Sequence, residues 1–225
     1  MDKLSDGVIR YSLFSKWLQN KETAIKQYFP ETEDGHIVTD WMTFGSMGAA
    51  GLEQRPLPWW LADITPADIS EYRIIEEFDG VKMRGTLDKF FENTNTIVDN
   101  KCLKRKMTAK EEERITQMHR HTLEDFTSLK NNFELKDVTK YKEQLTFYQV
   151  LVEKRYGSVN PISDIEIIPV FKDLNGLIRR TGEPAVNFSI QISQLERDAM
   201  KELMIKTGKE IIMVYEAYKR GDITI

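Results

Sequence analysis

The chain has 225 residues, 40% of them hydrophobic and 30% charged, enough for one buried core, and the expectation is a single domain over 1–225. A formal net charge of -4 argues against a protein that coats nucleic acid indiscriminately, because such coats are basic, but leaves room for a locally cationic groove. Cys102 is the only cysteine, which excludes an intramolecular disulfide and any four-cysteine zinc or iron–sulfur site, and no apolar run approaches the roughly 20 residues of a membrane helix.

The amino-terminal MDKLSDGVIRYSLF has no basic stretch leading into an apolar one, so a cytoplasmic location without a membrane partner is expected. Leu13, Phe14, Trp17, Leu18, Ile25, Tyr28 and Phe29 recur at three-or-four spacing and predict one helix from Tyr11 to Phe29, stopped by Pro30. A second helical stretch, rich in small residues, is predicted over 43–54 and ended by Pro56 and Pro58. Trp59 and Trp60 follow, suited to packing at a core edge or, alternatively, to stacking on unpaired bases. Three strands come next, over 71–78, 81–91 and 96–103, with Asp79-Gly80 as a hairpin turn and a polar turn over 92–95. Thr108 and Glu111 form a capping box that opens a charged helix running to about 133. Another helix, over 138–156, carries Tyr141, Leu145, Tyr148 and Val152 on one face. Two late strands, 165–171 and 185–192, lie either side of Asn175-Gly176, and a final amphipathic helix over 193–219 carries Leu195, Leu203, Ile211, Val214 and Tyr218.

Three charged residues stand where an ordinary core would not want them. Asp88 closes Arg84-Gly85-Thr86-Leu87 on the second strand, and Asp99 follows the apolar Ile97-Val98 on the third. Lys101 lies two positions on and therefore shares a face with Asp99. The turn over 92–95 brings the two carboxylates onto neighbouring strands. A hard divalent cation binds through one or two carboxylates, with waters and a substrate phosphate, and it neutralises charge developing on phosphorus. The backbone carbonyl of Asn100 is a candidate further ligand, and Lys101 is placed to orient the attacking water. The alternative is an Asp–Lys ion pair on a solvent-facing strand, with Asp88 a turn residue.

The stretch RGTLDKF…TIVDNKCLK resembles the metal-binding core of the PD-(D/E)XK nuclease superfamily, in its RecB-like exonuclease branch. Residues 85–88 match its Gly-X-X-Asp strand, and 97–101 match the apolar run ending in Asp-X-Lys. QLTFY, from Gln144 to Tyr148, resembles the branch's Gln-X-X-X-Tyr motif, and RYSLFSKWLQN resembles its opening helix. The resemblance covers residues 10 to about 155. It implies an α/β fold, a restriction-endonuclease-like central mixed sheet flanked by helices, and a magnesium- or manganese-dependent DNA nuclease, an exonuclease at ends or on single strands. Asp88, Asp99, Lys101, Gln144 and Tyr148 would be its catalytic set. A separate helicase or single-strand annealing protein is the implied partner besides DNA.

Three departures stand out. Ala49 occupies the place of the usual early-helix histidine or glutamate, and Glu53, one turn further on, is a candidate substitute. The four cysteines of iron–sulfur members are missing. The connection from Lys101 to Gln144 is long, reading as a charged helical insertion over about 104–137. It opens with Lys104, Arg105 and Lys106, which together with Arg84 are the expected contacts to the DNA backbone. Acidic residues over 111–113 and at Glu124 and Asp125 interrupt this strip, so a solvated helix of mixed charge is its alternative reading. Ala49 keeps a second function open: a catalytically weak or inactive DNA-binding module of a recombination or phage complex.

Overall fold

In the computed structural model the described residues are 4, 7–29, 64, 66–104, 138–172, 178–180 and 184–223. The stretches 43–54 and 105–137, and with them Ala49, Glu53, Trp59, Trp60, Arg105 and Lys106, lie outside the described residues.

Strand β3, Val81–Phe91, organises the sheet. Along one edge it pairs antiparallel with β2, Ile69–Phe78, from Ile69↔Phe90 to Phe78↔Val81, with Glu71 and Asp88 dropping out of the register. Its other edge is shared. A short strand β1, Val8–Arg10, runs parallel to Lys82–Arg84, while β4, Thr96–Lys104, pairs antiparallel only with Lys89–Phe91. β4 then runs parallel to β5, Ile162–Lys172, from Val98↔Asp164 to Lys104↔Val170. The far edge of β5 carries β6, Ile178–Arg180, and β7, Val186–Gln191, both antiparallel. The result is a seven-stranded mixed sheet.

Helices α1, Tyr11–Gln19, α3, Lys142–Tyr156, and α4, Gln194–Lys219, pack together and against one face of this sheet. The core there joins Leu13, Phe14 and Trp17 to Met83 and Leu87 of β3, Ile165 and Ile167 of β5, and Met204 and Ile211 of α4. Burying each such side chain contributes about 1.5–3 kcal/mol, which makes this layer the main source of stability. Gly208 lets α4 sit directly on β3: a Cβ there would stand 2.3 Å from Val81 Cγ1. On the reverse face Ile168 and Val170 form a smaller apolar cluster with Ile64.

The predicted helix over Tyr11–Phe29 is two helices. Asn20 takes an extended φ of -161° and its side chain accepts a hydrogen bond from Thr23 N, capping α2, Lys21–Tyr28. The apolar spacing hides this break because it runs on in phase across Asn20. α3 is preceded by a 3-10 turn, Thr139–Tyr141, and is buried at every position from Leu145 to Val152, not along one stripe. Ser193 caps α4 in a reciprocal capping box with Glu196. Leu195, assigned to the apolar stripe of α4, lies in the helix's first turn and is 79% exposed. β1 and β6 carry too few residues to register as periodic segments. Among the described residues no helix is long and apolar enough to cross a membrane.

Candidate active site

β3 and β4 part company just beyond their hairpin. Their last paired rung is Lys89↔Val98, after which β4 is held by β5 and leaves a fork. Asp88 stands on one prong, Asp99 and Lys101 on the other. Where the next ladder hydrogen bond would fall, the amide of Asn100 instead donates to Asp88 Oδ2 at 2.7 Å. That bond carries the Asp88 carboxylate across the opening.

The backbone is distorted at this point. Val81, Met83, Gly85 and Leu87 join the core beneath the helices, yet Phe90 also lies on the helix side, stacked between Tyr72 and Tyr156. Simple alternation therefore fails around Asp88. Glu71, opposite Asp88 on β2, has φ +50°, a conformation that L-residues rarely adopt within a strand. Strict alternation would have placed Asp88 on the opposite face from Leu87. The kink turns it into the fork.

Asp99 is 2% exposed, so the solvent-facing ion-pair reading does not hold. Its Oδ2 lies 2.6 Å from Lys101 Nζ, and its Oδ1 accepts from Gln144 Nε2 at 3.2 Å. Gln144 ties the group together: its Nε2 also donates to the Tyr148 hydroxyl at 2.9 Å, and its Oε1 accepts from Lys101 Nζ at 3.3 Å. Both residues come from one face of α3. Gly85 allows the helix this close, since a Cβ there would stand 2.9 Å from both Tyr148 Cδ1 and Leu151 Cδ1.

Two carboxylates facing one opening, Asp99 buried and Asp88 half-buried, cannot both ionise cheaply. Burial first, and then the charge of Asp99, push the Asp88 carboxyl from 3.8 up to about 7, against the opposing pull of Lys101 and the Asn100 amide. Burial likewise raises Asp99, although Lys101 opposes it. For Lys101, burial disfavours the ammonium, but Asp99 and Asp88 outweigh it and the pKa rises. The Tyr148 hydroxyl is raised by burial and then by Asp99, so it stays protonated. Asp88 therefore keeps its proton to higher pH than an exposed aspartate does. Among the described residues no three His, Cys, Asp or Glu side chains cluster tightly enough to hold a metal ion by themselves. Two acidic oxygens with an adjacent backbone carbonyl are nevertheless a donor set that magnesium takes, its remaining positions being filled by water and phosphate.

The structure thus brings Asp88, Asp99, Lys101, Gln144 and Tyr148 into one hydrogen-bonded and charge-coupled group. Arg84 lies elsewhere, in register with Arg10 of β1 and close enough, with Arg73, to lower the Arg10 pKa to about 10 after burial has lowered it first. Lys104 ends β4 in register with Val170. Three neighbours escaped the sequence reading. Lys101 Nζ lies 5.1 Å from the centre of the Tyr141 ring, a cation–π contact. The Tyr11 ring meets that of Tyr148 edge-on at 5.9 Å, and its hydroxyl donates to Glu143 at 3.2 Å. Glu71 is the third. Aromatic spacing placed the tyrosines on helices but said nothing of what they face, and periodicity carries no signal for a kink.

No protein-family model and no curated protein matches the sequence. Among solved structures, a phage-related exonuclease of Haemophilus somnus 129PT aligns at 12% identity with a TM-score of 0.47, covering 93% of this chain and 84% of its own. A provisionally assigned exonuclease of Eubacterium rectale aligns at 11% identity with a TM-score of 0.53, covering 97% of this chain and 83% of its own. With that second protein the chain shares its fold, a mixed sheet flanked by helices.

Proposed function

We propose that this chain is a divalent-metal-dependent deoxyribonuclease, an exonuclease that hydrolyses phosphodiester bonds at DNA ends or in single strands. The observation that carries the reading is the convergence of Asp88 and Asp99 across the β3–β4 fork with Lys101 beside them. The Eubacterium rectale structure cited above is provisionally assigned as an exonuclease, which supports the same reading. Asp88, Asp99 and the Asn100 carbonyl would hold magnesium or manganese, with Glu53 a candidate further ligand. When bound, that cation would lower the pKa of a water and offset charge on phosphorus. Lys101, kept protonated by the two carboxylates, presents an ammonium to the phosphoryl oxygens. Gln144 fixes the rotamers of Asp99 and Lys101, and Tyr148 holds Gln144. Lys104, Arg105, Lys106 and Arg84 are the proposed contacts to the DNA backbone, and a separate helicase or annealing protein is the proposed partner.

A second reading, a binding module without turnover, is favoured by one observation: among the described residues only two carboxylates meet at the fork, and one already carries Lys101 as its counter-ion. The two readings part in a gel assay on end-labelled linear, circular and single-stranded DNA with magnesium or manganese. The nuclease releases nucleotides, and Asp99→Ala or Lys101→Ala lowers the rate by on the order of 100-fold or more. A module binds DNA with or without the ion and releases none. Cleavage left unchanged by both substitutions would show that the site has been misassigned.

A further inference from the structure

Behind the catalytic fork the sheet is polar where a core would carry hydrocarbon. Lys89 and Glu166 are 2% and 3% exposed and form an ion pair on the face away from α3. Each is the neighbour, in sequence or in register, of a site residue. Lys89 follows Asp88, and Glu166 pairs in register with Asn100, which lies between Asp99 and Lys101. The Asn100 carboxamide is itself buried, with no hydrogen-bond partner for Nδ2 or Oδ1 among the described residues.

The path of this ion pair is unusual. The rung through Lys89 continues through Val98 of β4 to Asp164 of β5. The Lys89 side chain therefore passes over β4 and along β5 to reach Glu166, joining the strand on one side of β4 to the strand on the other. It does so at the last rung before β3 and β4 separate. A buried ion pair contributes little net stability, because desolvation offsets its attraction, and hydrocarbon of similar volume commonly does as well or better. Stability alone gives no reason to keep one here. Geometry does.

We propose that the Lys89–Glu166 pair is a positioning device for the fork: it sets the distance and angle at which Asp88 meets Asp99. This deepens the nuclease reading and rests on it. Both residues act through the backbone, Lys89 as the chain neighbour of Asp88 and Glu166 as the register partner of Asn100. A misplacement of about 1 Å at a reacting centre costs on the order of 100-fold in rate, so a small change at the last shared rung of β3 and β4 is enough to be read in kcat.

The experiment compares the full-length protein with K89M, K89M/E166L and the charge swap K89E/E166K. A cavity of about 240 Å³ bordered by Lys89, Asp164, Glu166 and Asn187 gives the apolar replacements room to settle. The double variant K89M/E166L is expected to keep or raise its Tm while losing on the order of 100-fold in kcat for magnesium-dependent cleavage, with KM for DNA unchanged. Its Tm is also expected to rise less on adding manganese than that of the wild type. K89E/E166K should recover most of the lost rate. Should K89M alone fail to fold, the double variant and the swap still decide the matter. Wild-type kcat and a wild-type manganese response in K89M/E166L would overturn the proposal, as would a swap no better than K89M. A wild-type protein that neither cleaves DNA nor gains Tm with manganese would overturn the nuclease reading and this inference together. Active wild type with an equally active double variant would overturn this inference alone.

Discussion

At Asp88 a carboxylate has been moved out of water and set against another carboxylate, and its acidity records the consequence. Its pKa rises from 3.8 to about 7, through burial first and Asp99 second. The folded state therefore holds this proton more tightly than the unfolded chain does, and stability is lost as pH rises through that window. Asp88→Asn keeps an oxygen to accept from the Asn100 amide but carries no such penalty. In a chelating buffer the Asp88→Asn protein should gain stability over the wild type by up to about 1.4 kcal/mol per pH unit between about pH 4 and 7, then level off. Thermal unfolding across that range measures it. A stability difference independent of pH would mean that Asp88 is as acidic as an exposed aspartate. That Asp88, Asp99 and Lys101 would meet could be expected from the sequence through the resemblance, since with Gly85 they stand at the spacing of its motifs. The network that joins them was less legible. That Gln144 would hold both Asp99 and Lys101, or that Tyr141 would lie under Lys101, depends on how α3 lies on the sheet, which spacing along one chain does not encode.

Among the elements, the meeting of α3 with β3 decides whether the site assembles. Gly85 and Gly208 both admit a helix to the sheet, but only Gly85 lies under Tyr148. Gly85→Ala should therefore cost about 1–3 kcal/mol in stability through overpacking and also lower the cleavage rate, because displacing Tyr148 displaces Gln144. Gly208→Ala, which drives into Val81 and Met83, should destabilise comparably or more while leaving kcat at the wild-type value below its Tm. Equal kcat in the two folded variants would disprove this division of labour. The strands of the β2–β3–β4 meander were readable almost to the residue, since alternation and the Asp79-Gly80 turn are strong local signals. The kink at Glu71 and Asp88 was not, because it breaks the periodicity from which strands are read. The split at Asn20 was hidden in the opposite way: the apolar phase persists while the backbone does not.

Taken whole, the described residues form a mixed seven-stranded sheet whose face toward α1, α3 and α4 is largely apolar, interrupted by Asp88, Asp99 and Lys101 at the fork and by Ser163 beneath Gln149. The fold class was implied by the resemblance carried by residues 10 to about 155, and the fold shared with the Eubacterium rectale protein at 11% identity agrees with it. β1 and β6 and the crossing pair Lys89–Glu166 could not be inferred. Each is a long-range arrangement of short or isolated residues, fixed by packing. On the nuclease reading, Asp88 and Asp99 share one cation. Its most direct test is anomalous diffraction from crystals of the protein soaked in manganese. A peak is expected in the fork within about 2.0–2.3 Å of a carboxylate oxygen from each aspartate, lost in Asp99→Asn. A manganese peak elsewhere, with the fork holding none while DNA is still cleaved, would contradict it.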